Sequence, residues 1–121
     1  QIQMSYDDFD NSLNVRVIRA KNIQPVRKSN VVDAFVKISL LPITNYLIFL
    51  AILSPQDCRK TKPVEKTLNP EWDRLFVFLG VDRMQLMERA VEVSLWDHDK
   101  FLPNTFIGEV VIDFNGKFIL C

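Results

Sequence analysis

The chain has 121 residues, 48% of them apolar and 25% charged, a composition that suits one folded domain and excludes disorder, collagen-like repeats and low-complexity tails. Fifteen Lys and Arg balance fifteen Asp and Glu, for a formal charge of zero. No bulk field is therefore available to draw in nucleic acid, and charge-driven recognition must come from local patches.

Two cysteines, Cys58 and Cys121, fit neither a disulfide scaffold nor a zinc-ligand spacing, which points to a reducing, cytoplasmic compartment. The first ten residues are acidic and lack an apolar core, so no signal peptide is expected there.

In chain order, the dominant hydrophobic period is two. A first strand is expected over residues 2–6, then a turn at Asp10-Asn11. Leu13, Val15 and Val17 alternate with Asn14, Arg16 and Ile18 in a second, half-buried strand. Gln24-Pro25 breaks the chain before a third strand at 34–41. The oily run at 43–53 is well short of the ~20 residues that cross a bilayer. It belongs to an apolar insert at 43–57, where a hairpin of about two to five residues could have joined the neighbouring strands. That insert is expected to pack on its own domain or to offer a sticky surface to a partner or bilayer.

Residues 59–65 read as one strand carrying Arg59, Lys60 and Lys62, and residues 72–79 as another beyond the Asn69-Pro70 turn. A short helix is expected over 82–89, with Asp82 as its cap. Val91, Val93 and Leu95 alternate with Glu92, Ser94 and Trp96, and a last strand runs over 106–113. Short strands at near-regular spacing predict an all-β antiparallel sandwich, with loops gathered at its two ends.

The run from Leu95 to Glu109 carries the chemistry. Asp97 and Asp99 leave a strand end two residues apart, and two carboxylates held that close repel unless water, a basic group or a cation lies between them. Acids at a strand end can equally just terminate the strand and stay solvated.

Four segments occur in order: Val32-Asp33-Ala34-Phe35-Val36-Lys37, Thr67-Leu68-Asn69-Pro70-Glu71-Trp72, Trp96-Asp97-His98-Asp99 and Phe106-Ile107-Gly108-Glu109. Together they resemble the C2 domain, in its synaptotagmin-like type I topology, over nearly the whole chain. The Leu40-Leu41-Pro42 opening of the insert, the Arg59-Lys60-Thr61-Lys62 run and Met84-Gln85-Leu86-Met87 are most similar to C2 domains of presynaptic active-zone scaffolds. The resemblance implies a single C2 domain over 1–121, an eight-stranded antiparallel sandwich. Its final strand is expected to be short or missing, because the chain closes on Lys117-Phe118-Ile119-Leu120-Cys121.

The family binds calcium between two loops, with five aspartates, and so docks on anionic phospholipid. Here Asp33, Asp97 and Asp99 fall on pattern positions, while Arg27 and Thr105 replace the other two acids. Calcium takes roughly six to eight oxygens, and these changes bring the nominal loop charge from about −5 to about −2. Ser29, Asn30 and Thr105 remain as oxygen donors, yet tight calcium binding is not expected and no cofactor is required. Arg27, set among the three acids, is a candidate to block the site by filling the cation's place.

A second surface needs no metal. Arg59, Lys60 and Lys62, with Lys37 on a neighbouring strand, offer ammonium groups to phosphate. The resemblance adds Phe35, Lys37, Lys60, Trp96 and Asn104 as positions that bind phosphoinositide headgroups. Phe101 and Leu102, with Val32 in the other loop, are expected at the membrane-facing tip, where apolar side chains enter the headgroup boundary.

Catalysis is not expected. His98 is the only histidine and stands without a nucleophile partner, and three glycines build no phosphate loop. The reading is a peripheral module for an anionic phospholipid or phosphoinositide membrane, with weak or absent calcium dependence, within a presynaptic vesicle-exocytosis scaffold. Exocytic or active-zone proteins and a homodimer are its further expected partners. The alternative is a protein-interaction or dimerisation C2 domain with no lipid role.

Overall fold

The structure is a computed structural model that describes residues 1–41 and 58–114. The insert at 43–57 and the chain's closing residues, 115–121, lie outside the described residues.

Alternation drives strand formation. Leu13, Val15 and Val17 are buried along β2 (Ser12–Arg19), which pairs antiparallel with β1 (Ile2–Asp7) on one side and β6 (Glu71–Phe78) on the other. The facing sheet is built on β3 (Val32–Leu41), which pairs with β7 (Ala90–Asp97), and β7 pairs with β8 (Thr105–Asp113). On its other side β3 pairs with two short strands in succession, β4 (Cys58–Lys60) and β5 (Val64–Thr67). All pairings are antiparallel.

Between the sheets, Val36, Ile38 and Leu40 from β3 and Val91 and Val93 from β7 meet Leu13, Val15, Phe76 and Phe78 in one apolar core. Each such side chain contributes about 1.5–3 kcal/mol on full burial. The expected antiparallel β-sandwich is therefore the architecture, with eight strands among the described residues.

The segment read as one strand over 59–65 is in fact two. The Thr61 side chain is buried, its Oγ1 accepts the Val36 N–H at 2.9 Å, and its own N–H donates to the Val36 carbonyl at 2.9 Å. Pro63, lacking an N–H, then ends regular pairing. Lys62 consequently lies outside any strand.

Helix α1 (Arg83–Leu86) is shorter than the expected 82–89, and Asp82 caps it as expected, its carboxylate accepting the Met84 N–H at 2.8 Å. Leu86 alone of its residues is buried, and it joins the core.

The frame sorts the loops by end. The β1–β2 turn and α1 share one end, joined by the Val81 N–H to the Asn11 carbonyl (2.9 Å), the Tyr6 hydroxyl to the Val81 carbonyl (2.6 Å) and the Arg83–Asp8 ion pair. The β2–β3, β5–β6 and β7–β8 loops gather at the other end.

Candidate functional site

At that loop end, register does the positioning. Ala34 of β3 faces Asp97 of β7, and Asp97 faces Thr105 of β8. The His98 N–H donates to the Asp33 carbonyl at 2.9 Å, carrying the ladder one step past β7. Asp33, Asp97, Asp99, Arg27 and Thr105, residues from two separate stretches of chain, thus border one cleft of about 330 Å³ or lie beside it.

Arg27 occupies the centre of this arrangement. Its Nη1 donates to Asp99 Oδ2 at 2.8 Å, its Nε to Thr105 Oγ1 at 2.7 Å, and its Nη2 to the carbonyls of Asp97 and Pro103, each at 3.2 Å. Asp97 Oδ2 lies 3.7 Å from Nε. The Arg27 side chain is 26% exposed and Asp97 only 5%, so these charge-assisted bonds are partly shielded from solvent.

Asp33 is turned away from the arginine. Its Oδ1 accepts the Lys66 N–H at 2.8 Å, while its own N–H donates to Asp97 Oδ1 at 3.0 Å. Lys66 takes a left-handed φ of 53° to make that bond.

Asp99 is the most heavily used acid. Its Oδ1 accepts the N–H groups of Phe101 at 2.8 Å and Leu102 at 2.9 Å. Those two bonds, with the Arg27 charge and His98 adding to them against a smaller opposing effect of burial, hold its carboxyl below the usual carboxylate range.

A calcium ion, which the family implies, does not fit this donor set. The oxygens of Asp99 are committed to Arg27 and two N–H groups, Asp97 bonds the Asp33 N–H, and a fixed positive charge stands among them. Calcium needs roughly six to eight oxygens and a surplus of negative charge.

The tip residues separate. Phe101 is 93% exposed and Leu102 68%, as a membrane-facing tip requires, whereas Val32 is 1% exposed and packs with Ile23 and Ala34. Val32 opens β3 on the same parity as Ala34, Val36 and Ile38, the inward face, so it is a core residue and not a tip residue.

On the outer face of the β3 sheet, Lys37 stands directly opposite Lys60, and Phe35 opposite Trp96. The Lys37 ammonium lies 4.4 Å from the Trp96 ring centroid, a cation–π contact. His98 packs edge-on against Phe35, and its Nδ1 lies 3.2 Å from Asn104 Oδ1, which also accepts the Asp99 N–H. Asn104 therefore ties the sheet face to the loop cleft.

Arg59 does not join this face. It is opposite Ile38, on the inward parity, with its guanidinium 5.0 Å from the Phe78 ring and Nη1 donating to the Val77 carbonyl at 3.4 Å. Lys62 is exposed just beyond β4. Glu92, opposite Ser39, and Glu109, in the row of Lys37 on the far side of Ser94, share the outer face, which confines the basic patch to its β3–β4 margin. Neither the Thr61 hydroxyl nor the Asp33–Lys66 bond was expected from sequence. Thr61, polar and close to Pro63 in an otherwise β-like run, was the available signal for the first.

No helix among the described residues is long and apolar enough to cross a membrane. The C2 domain family model matches residues 11–119. The chain is 36% identical to Protein piccolo of Rattus norvegicus over 96% of its own length but 2% of that protein. It is 30% identical to Regulating synaptic membrane exocytosis protein 2 of Rattus norvegicus over 93% of its length and 7% of that protein. Among solved structures, a C2 domain of RIM from Drosophila superposes with a TM-score of 0.82 and 32% identity, over 98% of this chain and 86% of that one. The chain thus spans a small part of the curated relatives it matches. Sandwich, loop geometry and these likenesses agree, and the chain belongs to the C2 domain family.

Proposed function

We propose that this C2 domain is a peripheral module that docks on anionic phospholipid or phosphoinositide surfaces, with weak or absent calcium dependence. The observation that carries the reading is the Lys37–Lys60 pair. Two like charges directly opposite each other in an antiparallel sheet destabilise it, and a phosphate bridging them turns that repulsion into attraction. Lys62 lies close in sequence to extend the patch, and the exposed Phe101 and Leu102 supply an apolar contact at the loop end. The name of one relative, Regulating synaptic membrane exocytosis protein 2, supports a place at a synaptic membrane, and we place the domain on its cytoplasmic, presynaptic side within an exocytosis scaffold.

Sedimentation with phosphatidylcholine vesicles carrying phosphatidylserine or a phosphoinositide tests this. Each lysine near an anionic surface contributes about 1 kcal/mol, so Lys60→Ala with Lys62→Ala should weaken binding roughly thirtyfold. Binding should also fall as salt rises from about 0.1 M to about 0.5 M, and a calcium chelator should change it little. Binding that needs micromolar calcium, or that ignores both the substitutions and salt, overturns the reading.

A second reading rests on β6. Leu75 and Val77 are exposed on this strand and Leu79 just after it, and β6 ends its sheet among the described residues. An apolar outer strand favours protein docking or a homodimer. Salt-insensitive self-association without vesicles would support that reading.

A further inference from the structure

Arg27 grips the β7–β8 loop on both sides of its exposed tip. Before the tip, Nη1 holds Asp99 Oδ2 at 2.8 Å; after it, Nη2 holds the Pro103 carbonyl at 3.2 Å. Between these points Asp99 Oδ1 accepts the N–H groups of Phe101 and Leu102, so one carboxylate passes the arginine's hold directly to the tip backbone. The Asp99 N–H to Asn104 Oδ1 bond, at 3.1 Å, closes the base of the loop.

The result is that Phe101, 93% exposed, projects with its backbone already fixed. A free loop would lose conformational entropy on entering a lipid surface, and a loop ordered beforehand loses little. A bound divalent cation could order such a loop only when present. A guanidinium on a neighbouring loop is present always.

We propose that Arg27 is a positioning residue, a tethered cation that sets the Phe101-Leu102 tip in its projecting conformation and so readies it for a lipid surface without calcium. This rests on the membrane reading above for the tip's target, though not for the ordering itself. Arg27 touches no lipid in this role; it acts through Asp99 and Pro103.

Amide hydrogen exchange on the 121-residue chain separates the two. In Arg27→Ala the Phe101 and Leu102 amides should exchange about tenfold faster while those of Val36 and Val93 in the sheet keep their rates. The same variant should bind phosphatidylcholine vesicles carrying phosphatidylserine, in chelator, about three- to tenfold more weakly. In the parent chain about 1 mM calcium should alter neither quantity.

Should Arg27→Ala also lower protection in the sheet, Asp99→Asn serves instead. It keeps an oxygen for the two amides and removes the charge that Arg27 grips, so it should speed exchange at the tip alone. Unchanged tip protection in the variant with an intact sheet overturns the proposal, as does calcium-induced protection of the tip in the parent. A parent chain that fails to sediment with any vesicle overturns the membrane reading, while the exchange rates still decide the role of Arg27.

Discussion

Thr61 and Tyr6 show what a single hydroxyl does inside this sandwich. Thr61 takes the Val36 N–H at the point where β4 gives way to β5, and its methyl stays packed. Thr61→Val keeps the shape and removes the acceptor, leaving a buried N–H unsatisfied at a cost of about 1–3 kcal/mol, measurable by urea unfolding. Thr61→Ser, which keeps the oxygen, should cost less. Tyr6 donates to the Val81 carbonyl at 2.6 Å at the opposite end. Burial first, then the charges of Asp8, Asp82 and Asp10 against the relief from Arg83, raise its pKa above the ordinary value of 10.0. The folded state therefore favours the neutral phenol. Its contribution is fully present below about pH 10 and is lost as pH rises through the higher folded value. Alkaline unfolding of Tyr6→Phe should be flatter than that of the parent in this range, and an unchanged alkaline limb would argue against this origin.

At the scale of elements, α1 is four residues long and cannot sustain itself without tertiary support. Its stability comes from the Asp82 cap and from Leu86, fully buried in the core. Leu86→Ala should cost about 2–5 kcal/mol, and Asp82→Ala about 0.5–2 kcal/mol, both by thermal or denaturant melts. Asp82 and the alternation of β2 and β7 were readable in the sequence, because a cap needs one side chain and a half-buried strand displays its period openly. β3 was harder. It lies between β7 and the β4/β5 pair, and Phe35 is buried on its outer face as Val36 is on its inner one, so the polar half of the period disappears. Starting this strand at residue 34 left Val32 in a loop, although counting back by two from Ala34 puts it on the inward face. The same parity sends Arg59 inward and Lys60 outward, which a composition-based basic strand cannot distinguish. Arg27 and its acids could be named from sequence as neighbours. That Asp33 would bond Lys66 and leave the arginine to Asp97 and Asp99 depends on a left-handed backbone at Lys66, and no local pattern marked it.

Across the whole molecule, the zero net charge conceals two unlike ends. The β1–β2 turn and α1 carry Asp7, Asp8, Asp10 and Asp82, with Arg83 paired to Asp8. The loop end sets Arg27, Lys28, Lys66 and Lys100 against Asp33, Asp97 and Asp99, so its charges nearly balance and its exposed lysines are not outnumbered by acids. Among the described residues, each end also bears one almost fully exposed phenylalanine, Phe9 at 96% and Phe101 at 93%. Apolar exposure alone would make them equivalent anchors. Charge makes them different, because an anionic surface repels the acids flanking Phe9 and attracts the lysines around Phe101, within a screening length of about 10 Å at 0.1 M salt. The domain should approach such a surface loop end first, with Phe9 pointing away. Phe101→Ser should lower affinity for phosphatidylserine-containing vesicles by about tenfold or more, given ~1.5–3 kcal/mol for a fully buried aromatic. Phe9→Ser should leave it within about a factor of two, because a side chain held in water on both sides of the equilibrium adds nothing to it. Equal losses from the two substitutions in one sedimentation series would mean that charge does not orient this sandwich on the membrane.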